Sequence, residues 1–144
     1  MHNYEIRLDY RGPKEFAPHY ATKGAAGLDL CAVVEAPVVV HPYERILIPT
    51  KLWLQMPYDV EMQIRSKSGL ALKWGVIVLN APATIDSDYK DEVGVLLLNA
   101  GDVPFIINPG IKIAQAVFNK VNHAPQGFTL KTLDRTGGFG STGK

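Results

Sequence analysis

Apolar and polar residues alternate along much of this chain. Tyr4, Ile6, Leu8 and Tyr10 are separated by Glu5, Arg7 and Asp9, and Val60, Met62 and Ile64 alternate with Glu61, Gln63 and Arg65. A period of two sends successive side chains to opposite faces, so both stretches predict half-buried strands. Shorter β-rich runs fall at Val38–Val40, Arg45–Ile48, Lys51–Met56, Val76–Leu79, Val93–Asn99, Phe105–Ile107 and Ile111–Phe118. Turn signals such as Arg11-Gly12-Pro13, His41-Pro42, Met56-Pro57 and Asn108-Pro109-Gly110 separate them. Short strands with this punctuation predict an all-β sandwich or barrel, and only Ser68–Lys73 has the composition of a short helix. No repeat or linker interrupts the pattern. One β domain is therefore expected over residues 1–133, followed by a loose glycine-rich segment at 134–144. Gly94–Leu98 is apolar on successive residues, which predicts a strand covered on both faces, with a second subunit as one candidate cover.

Composition narrows the classes. A chain of 144 residues can build one domain with a real core, and its net charge of +1 gives no basic footprint for a nucleic-acid polymer. No apolar run reaches membrane-spanning length and no charged-then-apolar leader is present. Cys31 is the only cysteine, which excludes an intramolecular disulfide and fits a reducing compartment such as the cytoplasm. His2, His19, His41 and His123 are scattered singly, without the spacing of a zinc site. Trp53 and Trp74 are too dispersed to make a stacking platform.

Three segments carry candidate chemistry. The first is Arg135 to Lys144, with four glycines, an arginine, Phe139 and three hydroxyls. Gly138, Gly140 and Gly143 match G-x-G-x-x-G, and Gly138–Lys144 matches G-x-x-x-x-G-K, yet neither match has a following helix, and the second lacks the Ser or Thr after its lysine. Two readings of this segment remain: a solvated terminus, or a clamp of backbone N–H groups, guanidinium and ring for a nucleotide. The second segment, Asn80–Tyr89, places a turn before a short β run, then Asp86, Asp88 and Tyr89. On an extended chain the two carboxylates face opposite ways, leaving one free to act as a general base toward water; the plainer reading is a solvated polar hairpin. The third, Ser66-Lys67-Ser68-Gly69, can present N–H groups to a phosphate at a helix start, or simply cap the helix.

Together these segments resemble the trimeric dUTPases, whose five motifs find counterparts here in family order. The counterparts are Ala26–Leu30, Lys67–Ala71, Thr84–Tyr89 with Asn80 upstream, Pro109-Gly110 with Ile113-Ala114-Gln115, and Arg135 with Gly137–Ser141. The resemblance implies hydrolysis of dUTP to dUMP and pyrophosphate by water attack on the α-phosphorus, limiting uracil in DNA and supplying dUMP for thymidylate synthesis. It implies a homotrimer with shared sites and a barrel or jelly-roll-like fold. Asp86 would be the base, and Tyr89 would pack on the deoxyribose. The main chain at Thr84 and Ile85, with Asn80, would read uracil. Lys67, Ser68, Gly69 and Gln115 would hold phosphates. Arg135 would reach the γ-phosphate, and Phe139 would cover the base within a closing lid that includes Gly140 and Ser141. Mg²⁺ would be gripped mainly by the triphosphate, with Asp29 touching its water shell.

The chain departs from the family pattern at four places. Lys67 stands where Arg is usual, Ala83 and Asp91 where Gly is common, and Ile111-Lys112 in place of an acidic-basic pair. A lysine lacks the planar fork that grips two oxygens at once. Two rivals follow from the same residues: a dCTP deaminase of this fold, and a non-catalytic trimeric binding protein regulated by nucleotide. The Gly-Phe-Gly segment disfavours the deaminase, which does not end in such a lid.

Overall fold

The largest sheet organises the molecule. In this computed structural model, which describes residues 5–127, it runs in the order β2 (His19–Tyr20), β3 (Leu28–Cys31), β12 (Lys112–Lys120), β7 (Val60–Arg65) and β9 (Ala83–Ile85). A three-stranded sheet sets β10 (Gly94–Asn99) between β5 (Arg45–Pro49) and β8 (Val76–Val78). Two ribbons complete the set: β1 (Arg7–Tyr10) on β6 (Leu52–Gln55), and β4 (Val38–Val40) on β11 (Phe105–Ile107). Every one of these pairings is antiparallel. Among the described residues the only helices are α1 (Ser68–Trp74) and a 3-10 turn at Lys14–Phe16, and no helix is long and apolar enough to cross a membrane. The all-β expectation, with one short helix, holds.

Alternation explains which faces meet. Met62 and Ile64 of β7 point into one core with Leu30, Ile48, Leu52, Leu97 and Ile113, Val60 is buried on the same face of the strand, and Glu61, Gln63 and Arg65 face outward. The N-terminal alternation also makes a strand, but Ile6 and Leu8 remain 39% and 43% exposed. Paired only with β6, β1 lies in a two-stranded ribbon that leaves those side chains uncovered within one chain. On β10, Val95, Leu97 and Asn99 are buried, whereas Leu96 and Leu98 are half-buried on the opposite face. Leu47, directly across from Leu96, is 64% exposed. Cover on both faces of β10 is thus met on one face only within the single chain.

Strands β2 and β3 were not expected from the pattern. All four residues of β3 are buried, including Asp29 at 2% exposure. A carboxylate in mid-run reads as solvent-facing, and here it is not.

Two polar or close-packed junctions fix the ends of the sheets. Asn99 is wholly buried; its Nδ2 donates to the Val40 and Val103 carbonyls at 2.8 and 2.9 Å, and its Oδ1 accepts from Gly101 N at 2.9 Å. Gly75 ends α1 at φ 67°, in the left-handed region where glycine has no Cβ penalty. Its carbonyl accepts from Ala100 N at 2.9 Å, and a Cβ on Gly101 would overlap the Trp74 carbonyl. Helix α1 is thereby seated on the β10–β11 turn, which fixes where its first residues begin. Asn99→Ala should cost about 2–4 kcal/mol, the sum of a small cavity and buried groups left without partners. Urea unfolding checks this; a change under about 0.5 kcal/mol, the scale of a surface substitution, would contradict it.

Candidate functional site

The chain leaves β9 at Ile85 and turns at once. Tyr89 N donates to the Asp86 carbonyl at 3.1 Å, so Asp86–Tyr89 forms a tight turn rather than an extended run. The expectation that Asp86 and Asp88 face opposite ways along a strand is corrected by that turn: both border one hollow of about 340 Å³. Only Asp86 also borders a second hollow of about 480 Å³, together with Thr84, Ile85 and Tyr89.

The second hollow is the better fit to a nucleoside. Its walls include Leu47, Pro49, Ile85 and the Tyr89 ring, an apolar lining bordered by the three carboxylates of Asp86, Asp91 and Glu92. The first hollow gathers Glu61, Asp86 and Asp88 around Tyr58 and His123, whose rings stack 4.5 Å apart. Three carboxylates border each hollow, so the more apolar lining of the second, and not charge, separates the two.

The segment after the turn is anchored residue by residue. The Tyr89 hydroxyl donates to the Glu92 carbonyl at 2.8 Å, and Lys90 Nζ donates to the Ser87 carbonyl at 3.2 Å. Glu92 Oε2 accepts from Lys51 N at 2.9 Å, while Val93 is buried and its carbonyl accepts from Thr50 Oγ1 at 2.6 Å. Tyr89 is therefore held upright beside Asp86 by the β5–β6 turn, not by its own strand.

A second group of residues lies elsewhere on the large sheet. Asp29 of β3, Gln115 of β12 and Arg65 of β7 stand in one cross-strand row. Lys67 Nζ donates to Asp29 Oδ1 at 2.5 Å, and Lys112 Nζ lies 3.1 Å from Asp29 Oδ2. Burial alone pushes the Asp29 carboxyl up, but the Lys67 hydrogen bond and the charges of Lys67 and Lys112 outweigh it and hold it below the usual carboxylate range. Lys112 reaches this face through a β-bulge. Gln115 pairs with Asp29 and Ala114 with Leu30, yet Lys112 pairs with Cys31, so one extra residue shifts Lys112 onto the face of Asp29. Gln115 Nε2 donates to the Ser66 carbonyl at 3.0 Å, and Ser66 Oγ accepts from Val78 N at 2.9 Å. The loop carrying Lys67 is thus pinned from two sides. A Cβ on Gly27 would overlap the Gln115 amide, so glycine is required where Gln115 crosses β3.

The two groups do not share the nucleoside-sized hollow, whose lining contains none of Asp29, Lys67, Ser68, Gly69 and Gln115. Strands β9 and β12 flank β7, which places roughly 10 Å of sheet between them. Ser68 and Gly69 are exposed at the start of α1, and Asn80 is exposed in the turn after β8, outside that lining. Arg135, Phe139, Gly140 and Ser141, with the whole 134–144 segment, lie outside the described residues. Sequence reading named Ser66 only as part of the candidate phosphate turn and Lys112 only as a departure from the family pattern, and missed Glu92. The bulge that turns Lys112 inward has no signal in the alternation, and Ser66 and Glu92 act through single cross-chain hydrogen bonds.

An all-β domain with an apolar hollow, a carboxylate turn at its rim and a separate cationic cluster is the class defined by this geometry. Comparison with known proteins gives it a family. The dUTPase family profile matches residues 14–143. The deoxyuridine 5'-triphosphate nucleotidohydrolase of Chlamydia trachomatis serovar L2 is 46% identical over 131 residues, covering 88% of this chain and 90% of that protein. Among solved structures, a mutant dUTPase of Staphylococcus bacteriophage 80alpha with dUpNHpp superposes with TM-score 0.79 at 18% identity, over 97% of this chain and 99% of the other. A mutant dUTPase of phage phi11 of S. aureus, described with a structural Mg(II) ion, gives TM-score 0.71 at 19% identity over 92% and 98%. The chain belongs to the dUTPase family.

Gly27→Ala tests the packing of the second group. The added methyl forces Gln115 away from Ser66, and overpacking of this kind should cost about 1–3 kcal/mol. Thermal unfolding at the wild-type midpoint would show instead that Gln115 does not seat on Gly27.

Proposed function

We propose that this protein hydrolyses dUTP to dUMP and pyrophosphate. The observation that carries the reading is Asp86, fixed by a tight turn at the rim of an apolar hollow with the Tyr89 ring beside it. Uracil and deoxyribose occupy that hollow. The Thr84–Ile85 main chain reads the uracil edge, and the Tyr89 ring, tied through its hydroxyl to Glu92, leaves no room for a 2′-hydroxyl. Asp86 accepts a proton from a water whose oxygen bonds to the α-phosphorus, and the bond to the bridging oxygen breaks to release pyrophosphate. Lys67, Ser68, Gly69 and Gln115 serve the phosphates. Arg135 serves the γ-phosphate, and Phe139, with Gly140 and Ser141, covers the base. Removing dUTP and supplying dUMP for thymidylate synthesis in the cytoplasm is the role that fits this chemistry.

Assembly as a homotrimer is part of the same proposal. Base-side and phosphate-side residues stand on separate parts of one chain, and the Leu47–Leu96–Leu98 face is open. A neighbouring copy both covers that face and brings its own phosphate-side residues to the hollow.

Mg²⁺ held chiefly by the triphosphate needs no protein cage, and it would spread the negative charge of the phosphates. Asp29 does not fit the contact to its water shell. Lys67 donates to Oδ1, while Oδ2 is closed to solvent, makes no hydrogen bond and is only ion-paired with Lys112, and the described residues hold no group of three metal-ligating side chains. No catalytic step here is routed through Asp29 and a metal.

Asp86→Asn keeps the shape of the turn but cannot take a proton, so turnover of dUTP should fall by roughly 10² or more while nucleotide still binds. Chromatography of products from dUTP and dCTP checks the reading: unaltered turnover in the variant, or release of dUTP from dCTP, contradicts it. Sedimentation of active protein should give a trimer, and an active monomer would remove the shared site.

A further inference from the structure

The Asp29 cluster is more specific than a phosphate-binding loop requires. The carboxylate is 2% exposed and its Oδ2 is sealed from solvent, while the side chains of Lys67 and Lys112 are 27% and 44% exposed above it. Each lysine takes a different oxygen, Lys67 on Oδ1 and Lys112 on Oδ2. The ammonium groups are therefore held side by side with the anion beneath them. The trio carries a net charge of +1, so an approaching cation meets two ammonium groups first, whereas an approaching polyphosphate meets a fixed cationic pair.

We propose that Asp29 is a positioning residue that holds Lys67 and Lys112 as a paired cation for the β,γ-diphosphate end of the substrate, and that it does not enter the water shell of a divalent cation. The proposal rests on the dUTP reading and adds Lys112 to it. The build of the site supports it. The bulge between Lys112 and Ala114 leaves Ile113 buried and turns Lys112 onto the face of Asp29. Gln115 sits in register with Asp29 and pins the Ser66 carbonyl, so the backbone that delivers Lys67 is fixed before any ligand arrives. A lysine has a single ammonium, free to leave one oxygen for another without reorienting a planar fork. On binding, Lys67 keeps its hydrogen bond to Asp29 and Lys112 its ion pair, and each ammonium offers an N–H to phosphate.

The test measures binding in excess chelator, where no divalent ion contributes. Calorimetry is run with imido-dUTP, with dUMP and with inorganic tripolyphosphate on the wild type, Asp29→Asn and Lys112→Met. Both variants should bind imido-dUTP and tripolyphosphate roughly tenfold more weakly, the scale of one charge-assisted bond, and bind dUMP within about twofold of wild type. The Mg²⁺ concentration for half-maximal turnover should be unchanged in Asp29→Asn. Lys112 is partly exposed, so Lys112→Met keeps the test open if Asp29→Asn does not fold. Metal-free affinity unchanged in both variants, or a raised Mg²⁺ requirement in Asp29→Asn with metal-free affinity intact, overturns the proposal. Tripolyphosphate binding that depends on Asp29 and Lys112 in a protein that does not turn over dUTP would uphold the cationic pair and overturn the dUTP reading instead.

Discussion

A carboxylate buried in the middle of β3 is the constraint around which this molecule is arranged. An unpaired ionised group in such a place costs several kcal/mol, and removing one partner of a buried pair typically costs about 3–5 kcal/mol. Asp29 is tolerable only because the loop after β7 delivers Lys67 and a bulge in β12 delivers Lys112. Three segments distant in sequence are thus bound to one register. The same register places Gln115 over Gly27 and against Ser66, so the loop that opens α1 is set by the ion cluster and not by the helix itself.

The other half of the site depends on a different device. Asp86 and Tyr89 stand on a turn whose far end is gripped by Lys51, Thr50 and the buried Val93. Rigid strands on either side let a short irregular segment hold a carboxylate and a ring in fixed relation, the usual division of labour between scaffold and functional loop. The nucleoside hollow and the ion cluster are separated across the sheet. On the proposed reading, a substrate with an apolar end and a polyphosphate end would meet two surfaces that a single chain does not bring face to face, and a second copy would dock on the open Leu47 side of the β10 sheet.

Much of this was legible in the sequence, for physical reasons that differ by element. The strand at Val60–Arg65 declared itself because one face is core and the other is not, which is the condition for a clean period of two. The helix at Ser68 was legible from its composition, and extends one residue further than expected, to Trp74, where Gly75 ends it. The family motifs located Asp86, Tyr89, Lys67 and Gln115. What could not be read was anything set by partners far away in the chain. Asp29 was expected only at the water shell of Mg²⁺, and its lysine partners could not be read because they are 38 residues and more away. Lys112 was hidden because a bulge breaks the alternation that would have placed it on the opposite face. Asp86 and Asp88 were read as strand residues, whereas the Tyr89 N–H closes a turn between them. The alternation at Ile6 and Leu8 signalled a strand correctly but not burial, since two strands alone cannot cover it.

The central claim is that a water near Asp86 attacks the α-phosphorus of dUTP. Hydrolysis of dUTP in heavy-oxygen water, followed by mass spectrometry of both products, tests it most directly. The account predicts that the label appears in the phosphate of dUMP and not in pyrophosphate. Label in pyrophosphate would mean attack at the β-phosphorus and would contradict the placement of Asp86 as the base.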